Sequence, residues 1–338
     1  MLSFQEALQR AENKKHLLLG NGFSIALKPD IFRYDTLFEQ ADFSGNEHLR
    51  GIFSALGTTD FEEVVKTLES GAKVLPHYLG PTPGVDAQMQ QDALRIKEIL
   101  VTTIANKHPE RPGDISFAEY EACKFFLGNF LGSGGKLYSL NYDILLYWVL
   151  MNSDLANNDG FKNDPDDPDA VYVVWDRGDS RGQNVYFLHG GLHLFDAGHQ
   201  IQKNTWVRST VPLIDQAQEA VAANKFPLFV AEGTSQQKMK KIQHSAYLHK
   251  GLRSLAEISG SIFTYGVSFS ENDEHILRTI EMGKVRSIFV GLYGDENSES
   301  NQRIRSRVDQ MVLLRRDSPR RNDLAVFYFD CASAAVWG

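Results

Sequence analysis

The polar residues that stand out in this chain are those that close runs of apolar ones. In "LYSLNYDILLYW" an Asn-Tyr-Asp triplet ends such a run. If the run is a parallel strand, Asn141 and Asp143 face the side of the sheet where ligands collect. In "VYFLHGGLHLF" a second run ends at His189, and an imidazole is suited to proton transfer near neutral pH. A third run, in "KKHLLLGNGFSIALKPD", leads into Gly20, Asn21, Gly22, Phe23 and Ser24. There two glycines let the backbone bend and approach a pyrophosphate, and Ser24 is placed to cap the next helix and to donate to a phosphate oxygen. A fourth run, in "FTYGVSFSENDEHI", puts Gly266 and Ser268 at its end and Asp273 at the start of a helix, a second candidate for phosphate or ribose contacts.

Each group has a plain structural alternative. The glycine turn departs from the dinucleotide fingerprint: its third glycine falls at Ile25, and no acidic residue closes a second strand about twenty residues on. Asn141 can cap the following helix while Asp143 supports its dipole, and Asp273 can do the same for its own helix. His189 and His193 are four residues apart, as in a zinc-binding helix, but the Gly-Gly between them opposes a helix and no Glu follows His189. Those glycines instead leave room for a ligand beside the imidazole.

Apolar runs at 136–143, 170–176, 184–190, 226–233, 260–269, 285–294 and 323–330 join an opening strand, His16 to Leu19. They are β-branched, aromatic and mostly continuous, the pattern of strands buried on both faces of a parallel sheet. Helical spacing appears in an opening segment, Phe4 to Asn13, and in "TTDFEEVVKTLES", 93–108, 116–131, 236–258 (perhaps as two helices) and 272–282. The expected fold is a single α/β domain over residues 1–338, a Rossmann-like, doubly wound, mostly parallel sheet with a helical insertion at approximately 60–135. The Asn-, Asp- and Pro-rich stretch 157–170 reads as a solvated loop and lacks the ordered pattern of an EF-hand.

A hydrophobic fraction of 42% with 23% charged residues is that of a globular chain with a buried core. The formal net charge of −8 weighs against general affinity for nucleic acid, so the arginine-rich stretch 303–323 is expected to be a solvated helix face or an oligomer contact. Two cysteines, Cys123 and Cys331, cannot build a four-thiolate zinc site or a disulfide framework. With no apolar run long enough to cross a bilayer and no signal-peptide pattern, the expected location is the cytoplasm.

Taken together and in order, "GNGFS", "SLNYD", "FLHG" and "YGVSFSENDEHI" resemble the bacterial sirtuin-like NAD hydrolases, relatives of the NAD-dependent protein deacetylases, many of which act in anti-phage defence. The resemblance implies that Asn141 and His189 are the catalytic pair and that Asp143 organises the nicotinamide end. It places Gly20, Asn21, Gly22, Phe23 and Ser24 around the pyrophosphate, and Gly266, Ser268 and Asp273 on the phosphate and adenosine side. The missing zinc ribbon and the missing Arg-containing segment after the glycine turn argue against deacetylation. The implied activity is cleavage of NAD+ to nicotinamide and ADP-ribose, with NAD+ as substrate, no further cofactor and no zinc. Such an enzyme needs restraint, so a homo-oligomer or a separate regulatory or sensor subunit is expected. The alternative is a module that binds NAD or ADP-ribose without turnover.

Overall fold

The structure is a computed structural model that describes the chain outside residues 30–36, 80–83, 107–110, 177–181, 206–210, 224, 231–233 and 318–322. In order, the first elements are α1 (Phe4–Arg10), β1 (Lys15–Leu19), α2 (Gly22–Leu27), α3 (Leu37–Gln40), α4 (Glu47–Leu56), α5 (Phe61–Leu79), α6 (Val85–Asn106), α7 (Phe117–Leu131), β2 (Leu137–Ser139) and α8 (Leu145–Met151). There follow β3 (Phe161–Asn163), β4 (Tyr172–Trp175), β5 (Val185–Phe187), β6 (Gly190–Asp196), β7 (Ile201–Asn204), α9 (Leu213–Ala222) and β8 (Pro227–Phe229). The last are α10 (Ser235–His244), α11 (Ala246–Glu257), β9 (Ser259–Tyr265), α12 (Glu274–Glu281), β10 (Lys284–Leu292), α13 (Glu299–Arg316) and β11 (Ala325–Asp330).

Six strands form one all-parallel sheet in the order β11-β10-β9-β1-β2-β5. Counted from β5 by their order in the chain, these strands run 3-2-1-4-5-6, the order of a dinucleotide-binding doubly wound sheet. The direction of winding reverses between β1 and β9, where such sheets open a crevice at their carboxyl edge. The register is level there: Leu19 pairs with both Ser139 and Tyr265, and Ser139 pairs with Phe187. Four neighbouring strands therefore end on one row, and each expected site motif begins one or two residues beyond it.

Apolar side chains on both faces hold the sheet. Leu17, Leu18 and Leu19 are fully buried, and Phe4, Phe126, Phe130, Phe263 and Phe329 form an aromatic cluster with centroid separations of 5.3–6.3 Å. Helix ends carry the expected caps. Ser116 starts α7 and Thr234 starts α10, each in a capping box with Glu119 or Gln237. The long helical run 236–258 is two helices broken at Ser245, whose hydroxyl accepts from Leu248 N.

The sequence reading placed every long apolar run in one sheet, and here it is corrected. The run at 170–176 (β4) and that at 226–233 (β8, its last three residues outside the described ones) belong to a second, antiparallel sheet, β3-β4-β7-β6-β8. Short apolar runs carry no period that separates the two kinds of strand. β3 lies inside the stretch 157–170 that reads as loop, with Phe161 half-buried and Lys162 and Asn163 exposed. Among the described residues the elements between β1 and β2 are all helices, beginning at α2, with α5 and α6 packed together. No described helix is long and apolar enough to cross a membrane.

Candidate functional site

Beyond β1 the chain turns at once into α2, and the turn is closed by its own neighbours. Gly20 N donates to the Tyr265 carbonyl at 2.9 Å, and Gly22 N donates to the Gly266 carbonyl at 3.0 Å. Phe23 N and Ser24 N bond to Gly20 O and Asn21 O, both at 3.0 Å. A Cβ on Gly20 would stand 2.5 Å from Gly266 O, and one on Gly22 would stand 2.5 Å from Gly266 Cα. Gly266 itself has φ 67°. These glycines are thus required by the contact of two backbones at the switch point, and the amides expected to cradle a pyrophosphate are engaged within the turn. Phe23 is fully buried against the C-terminal Trp337, whose Nε1 donates to the Phe23 carbonyl at 2.8 Å.

Ser24 lies inside α2, not at its cap, and is fully buried. Its hydroxyl donates to Asp143 Oδ2 at 2.5 Å and accepts from Asn141 Nδ2 at 3.0 Å. The expected donation to a phosphate is therefore replaced by a link between the glycine turn and the Asn-Tyr-Asp triplet. Asp143 Oδ1 accepts from Leu145 N at 3.0 Å, so this carboxylate also takes up the first backbone N–H of α8. Burial pushes Asp143 up to about 6 against the pull of the Ser24 and Leu145 hydrogen bonds. The backbone of the triplet is pinned as well: Asn141 N donates to Ser139 Oγ at 3.1 Å, and Tyr142 O accepts from Leu192 N at 2.8 Å.

His189 marks the passage from the parallel sheet into the antiparallel one. Leu188 N continues the pairing with β2, on Ser139 O at 2.8 Å, and Val230 N, next to β8, donates to His189 O at 2.7 Å. The two glycines after it serve packing rather than a ligand. Gly190 has φ 73°, and its Cβ would strike Leu228 O at 1.8 Å; a Cβ on Gly191 would meet the His193 ring at 2.8 Å. His193 is on a strand, between Tyr147 and Phe187, with ring centroids at 4.9 and 4.8 Å.

The His189 ring is 3% exposed. Its Nε2 lies 3.1 Å from Nε2 of His275 and 4.0 Å from Asp273 Oδ1, and the Leu140 carbonyl is a further hydrogen-bond partner. Burial holds His189 down to about 3 against the attraction of Asp273, so the ring is neutral at pH 7. His275 is lowered to about 4, again chiefly by burial. Asp273 stands just before α12 and makes no side-chain cap; its carboxylate accepts from Lys238 Nζ at 3.0 Å. Burial would raise its pKa, but His189, Lys238 and His275 outweigh it and hold the group below its ordinary value. With both imidazoles neutral at pH 7, Lys238 is the cation that keeps it ionised.

Sequence reasoning missed His275, Lys238 and Ser235. The one available signal was the histidine two residues after Asp273 in the first turn of a helix at a strand's carboxyl end. Ser268 is exposed, and the next residue, the buried Phe269, takes φ 54°, a left-handed conformation a bulky side chain rarely adopts. A cavity of about 1160 Å³ lies between α5, α10 and β8, with Lys66, Lys238, Lys240 and Lys241 alternating with Asp60 and Glu63. None of the expected site residues lines it, so the site is placed here by its chemistry at the strand ends and not by cavity size. The arginine stretch folds back on the protein in α13: Arg307 pairs with Glu274 at 2.8 Å, Arg305 lies 4.2 Å over the Tyr328 ring, and Arg315 is buried on the Gly283 carbonyl; residues 318–322 of it lie outside the described ones.

The arrangement thus offers a carboxamide, a neutral imidazole, one buried carboxylate and one half-buried carboxylate on one sheet edge, held by backbone from both sheets. A comparison with curated proteins finds no match. A family model described as a domain of unknown function, DUF4917, matches residues 17–337. The chain belongs to that family, DUF4917.

Proposed function

We propose that this protein hydrolyses NAD+ to nicotinamide and ADP-ribose at the carboxyl edge of β5, β2, β1 and β9. The observation that carries the reading is the level row on which Leu19, Ser139, Phe187 and Tyr265 end four adjacent parallel strands in a 3-2-1-4-5-6 sheet. That row brings the glycine turn, the Asn-Tyr-Asp triplet, His189 and Gly266 to the switch point. It is also the order of motifs on which the resemblance to sirtuin-like NAD hydrolases rests.

The nicotinamide of NAD+ leaves as a neutral base, so the reaction needs little acid catalysis and passes through a transition state with oxocarbenium character, as in glycoside hydrolysis. The protein's task is to hold the ribose and to position and deprotonate a hydroxyl or water. The Asn141 carboxamide orients that oxygen, and neutral His189 takes its proton. Asp143 is a positioning residue: one oxygen fixes α8, and the other reaches Asn141 through Ser24. Asn21 and Ser268, both exposed at the switch point, are the polar side chains offered to the pyrophosphate and adenosine halves. Two cysteines cannot supply the zinc ribbon of a deacetylase, which supports hydrolysis over acyl-lysine chemistry. On the same resemblance, the protein acts as the NAD+-consuming effector of an anti-phage system, in the cytoplasm, restrained by self-assembly or a partner subunit.

The test is nicotinamide release from NAD+, followed by chromatography, for the wild type beside His189→Ala and Asn141→Ala. Release by the wild type alone supports the reading. Equal release by all three removes the assigned residues, and calorimetric binding of NAD+ without product favours a binding module instead.

A further inference from the structure

The ring of His189 meets a second imidazole at its Nε2, with His275 Nε2 3.1 Å away. In the tautomer with hydrogen on Nδ1, neutral His189 offers Nε2 as an acceptor, and His275 Nε2 is then the donor. That leaves His275 Nδ1 as an acceptor, and it lies 3.1 Å from Ser235 Oγ, which in turn accepts from His275 N at 2.9 Å. The chain then runs from the Ser235 hydroxyl to His275 and from His275 to His189. The two rings are stacked at 26° with centroids 5.2 Å apart, and both are buried.

This chain has a consequence for a base at His189. Nε2, the nitrogen that would accept a substrate proton, is already engaged by the His275 ring, and Asp273 with its Lys238 partner lies on the same side. We infer that His275 is a built-in occupant of the place where the substrate's hydroxyl must sit, and that a ligand gains His189 only by displacing the His275 ring. The inference rests on His189 being the base of the proposed reaction. His275 comes from the segment after β9, two residues past Asp273 and six past the left-handed Phe269, so the piece of chain that carries the occupant also borders the switch point. Ser235, at the first turn of α10, is half-buried and holds the ring in its blocking position from the other side.

The test uses the full chain with NAD+ as probe and three variants, His275→Ala, Ser235→Ala and the double variant His189→Ala with His275→Ala. Nicotinamide release at low NAD+ is expected to rise roughly fivefold in His275→Ala, the scale of one neutral hydrogen bond, with a smaller rise in Ser235→Ala and none in the double variant. A folded His275→Ala protein that is unchanged, or that loses activity as His189→Ala does, overturns the inference and makes His275 a support for the base. A second readout needs no turnover: carbethoxylation of His189 by diethyl pyrocarbonate, mapped by mass spectrometry, is expected to be faster in both single variants than in the wild type. Equal rates overturn the inference. If no protein releases nicotinamide, the proposed reaction fails while the labelling still judges the blocking contact.

Discussion

Where the turn after β1 meets the turn after β9 the contact is backbone on backbone, at three glycines. Beyond the ends of β2 and β5, on the same edge, the buried side chains are an asparagine, an aspartate and a histidine, and His275 reaches that histidine from the segment after β9. The first region is explained by folding: Gly20, Gly22 and Gly266 are the residues that let two strand ends touch. The second is not. Raising Asp143 from 3.8 to about 6 means that its charged form at pH 7 costs on the order of 3 kcal/mol relative to the unfolded chain. A glycine motif read as a ligand cradle is also a packing device, and the proposed reaction is assigned to the polar groups behind it.

The contrast breaks most visibly in turnover. His189→Ala and Asn141→Ala should lower nicotinamide release by roughly two to four orders of magnitude, the range of a general base or an orienting group, while circular dichroism stays that of the wild type. Residual activity near wild type in either would dissolve the distinction between the two regions. Next in size is the glycine edge. Gly22→Ala and Gly266→Ala should each destabilise by about 3 kcal/mol or more, because the added Cβ meets backbone and, at Gly266, a positive φ as well. Differential scanning calorimetry should then show Tm lower by roughly 4 °C or more, and an unchanged Tm would mean that the backbones do not touch.

A pH titration sharpens the comparison further. Asp143 has a folded pKa above its unfolded one, so folding is favoured by protons there; its penalty is fully present above about 6 and fades towards the unfolded value near 4. His189 has the opposite sign: its folded pKa near 3 lies below the ordinary 6.5, so stability is lost as the pH falls through that window. The stability of Asp143→Asn relative to wild type should therefore be higher at pH 7 than at pH 4, by up to about 3 kcal/mol in urea unfolding. A difference that does not move with pH would show that Asp143 does not carry the charge assigned to it. Smallest of all, Arg303→Ala, which removes an exposed pair with Glu299 on α13, should leave stability within about 0.5 kcal/mol of wild type and turnover unchanged.

The sequence made the parallel sheet legible because strands buried on both faces leave continuous apolar runs: β2, β5 and β11 fall within the expected stretches, and β1, β9 and β10 start one residue ahead of theirs. The antiparallel sheet was hidden by brevity. β3 and β7 are short, half-polar strands whose pairing is set by partners far along the chain, and β6 starts on Gly-Gly, which by itself reads as a break. Among the site residues, Asn141, Asp143 and His189 were visible as polar residues ending apolar runs. The true partners of Ser24 and Asp273 were not, since a hydroxyl inside α2 reaching Asp143 and a carboxylate reaching Lys238 of α10 are contacts across the fold with no local pattern. His275 was overlooked for the same reason: on its own helix it is an ordinary buried residue, and only the approach of β5 gives it a role.

The most direct test of the claim that the β2 and β5 edge is built for a reaction, and the β1 and β9 edge for the fold, is to measure unfolding free energy and NAD+ turnover together on Asn141→Ala. The account predicts a protein that stays within about 2 kcal/mol of wild type, the scale of the single Ser24 hydrogen bond it loses, and that no longer releases nicotinamide. A variant that unfolds as readily as Gly22→Ala, yet whose folded fraction still turns over NAD+, would contradict it.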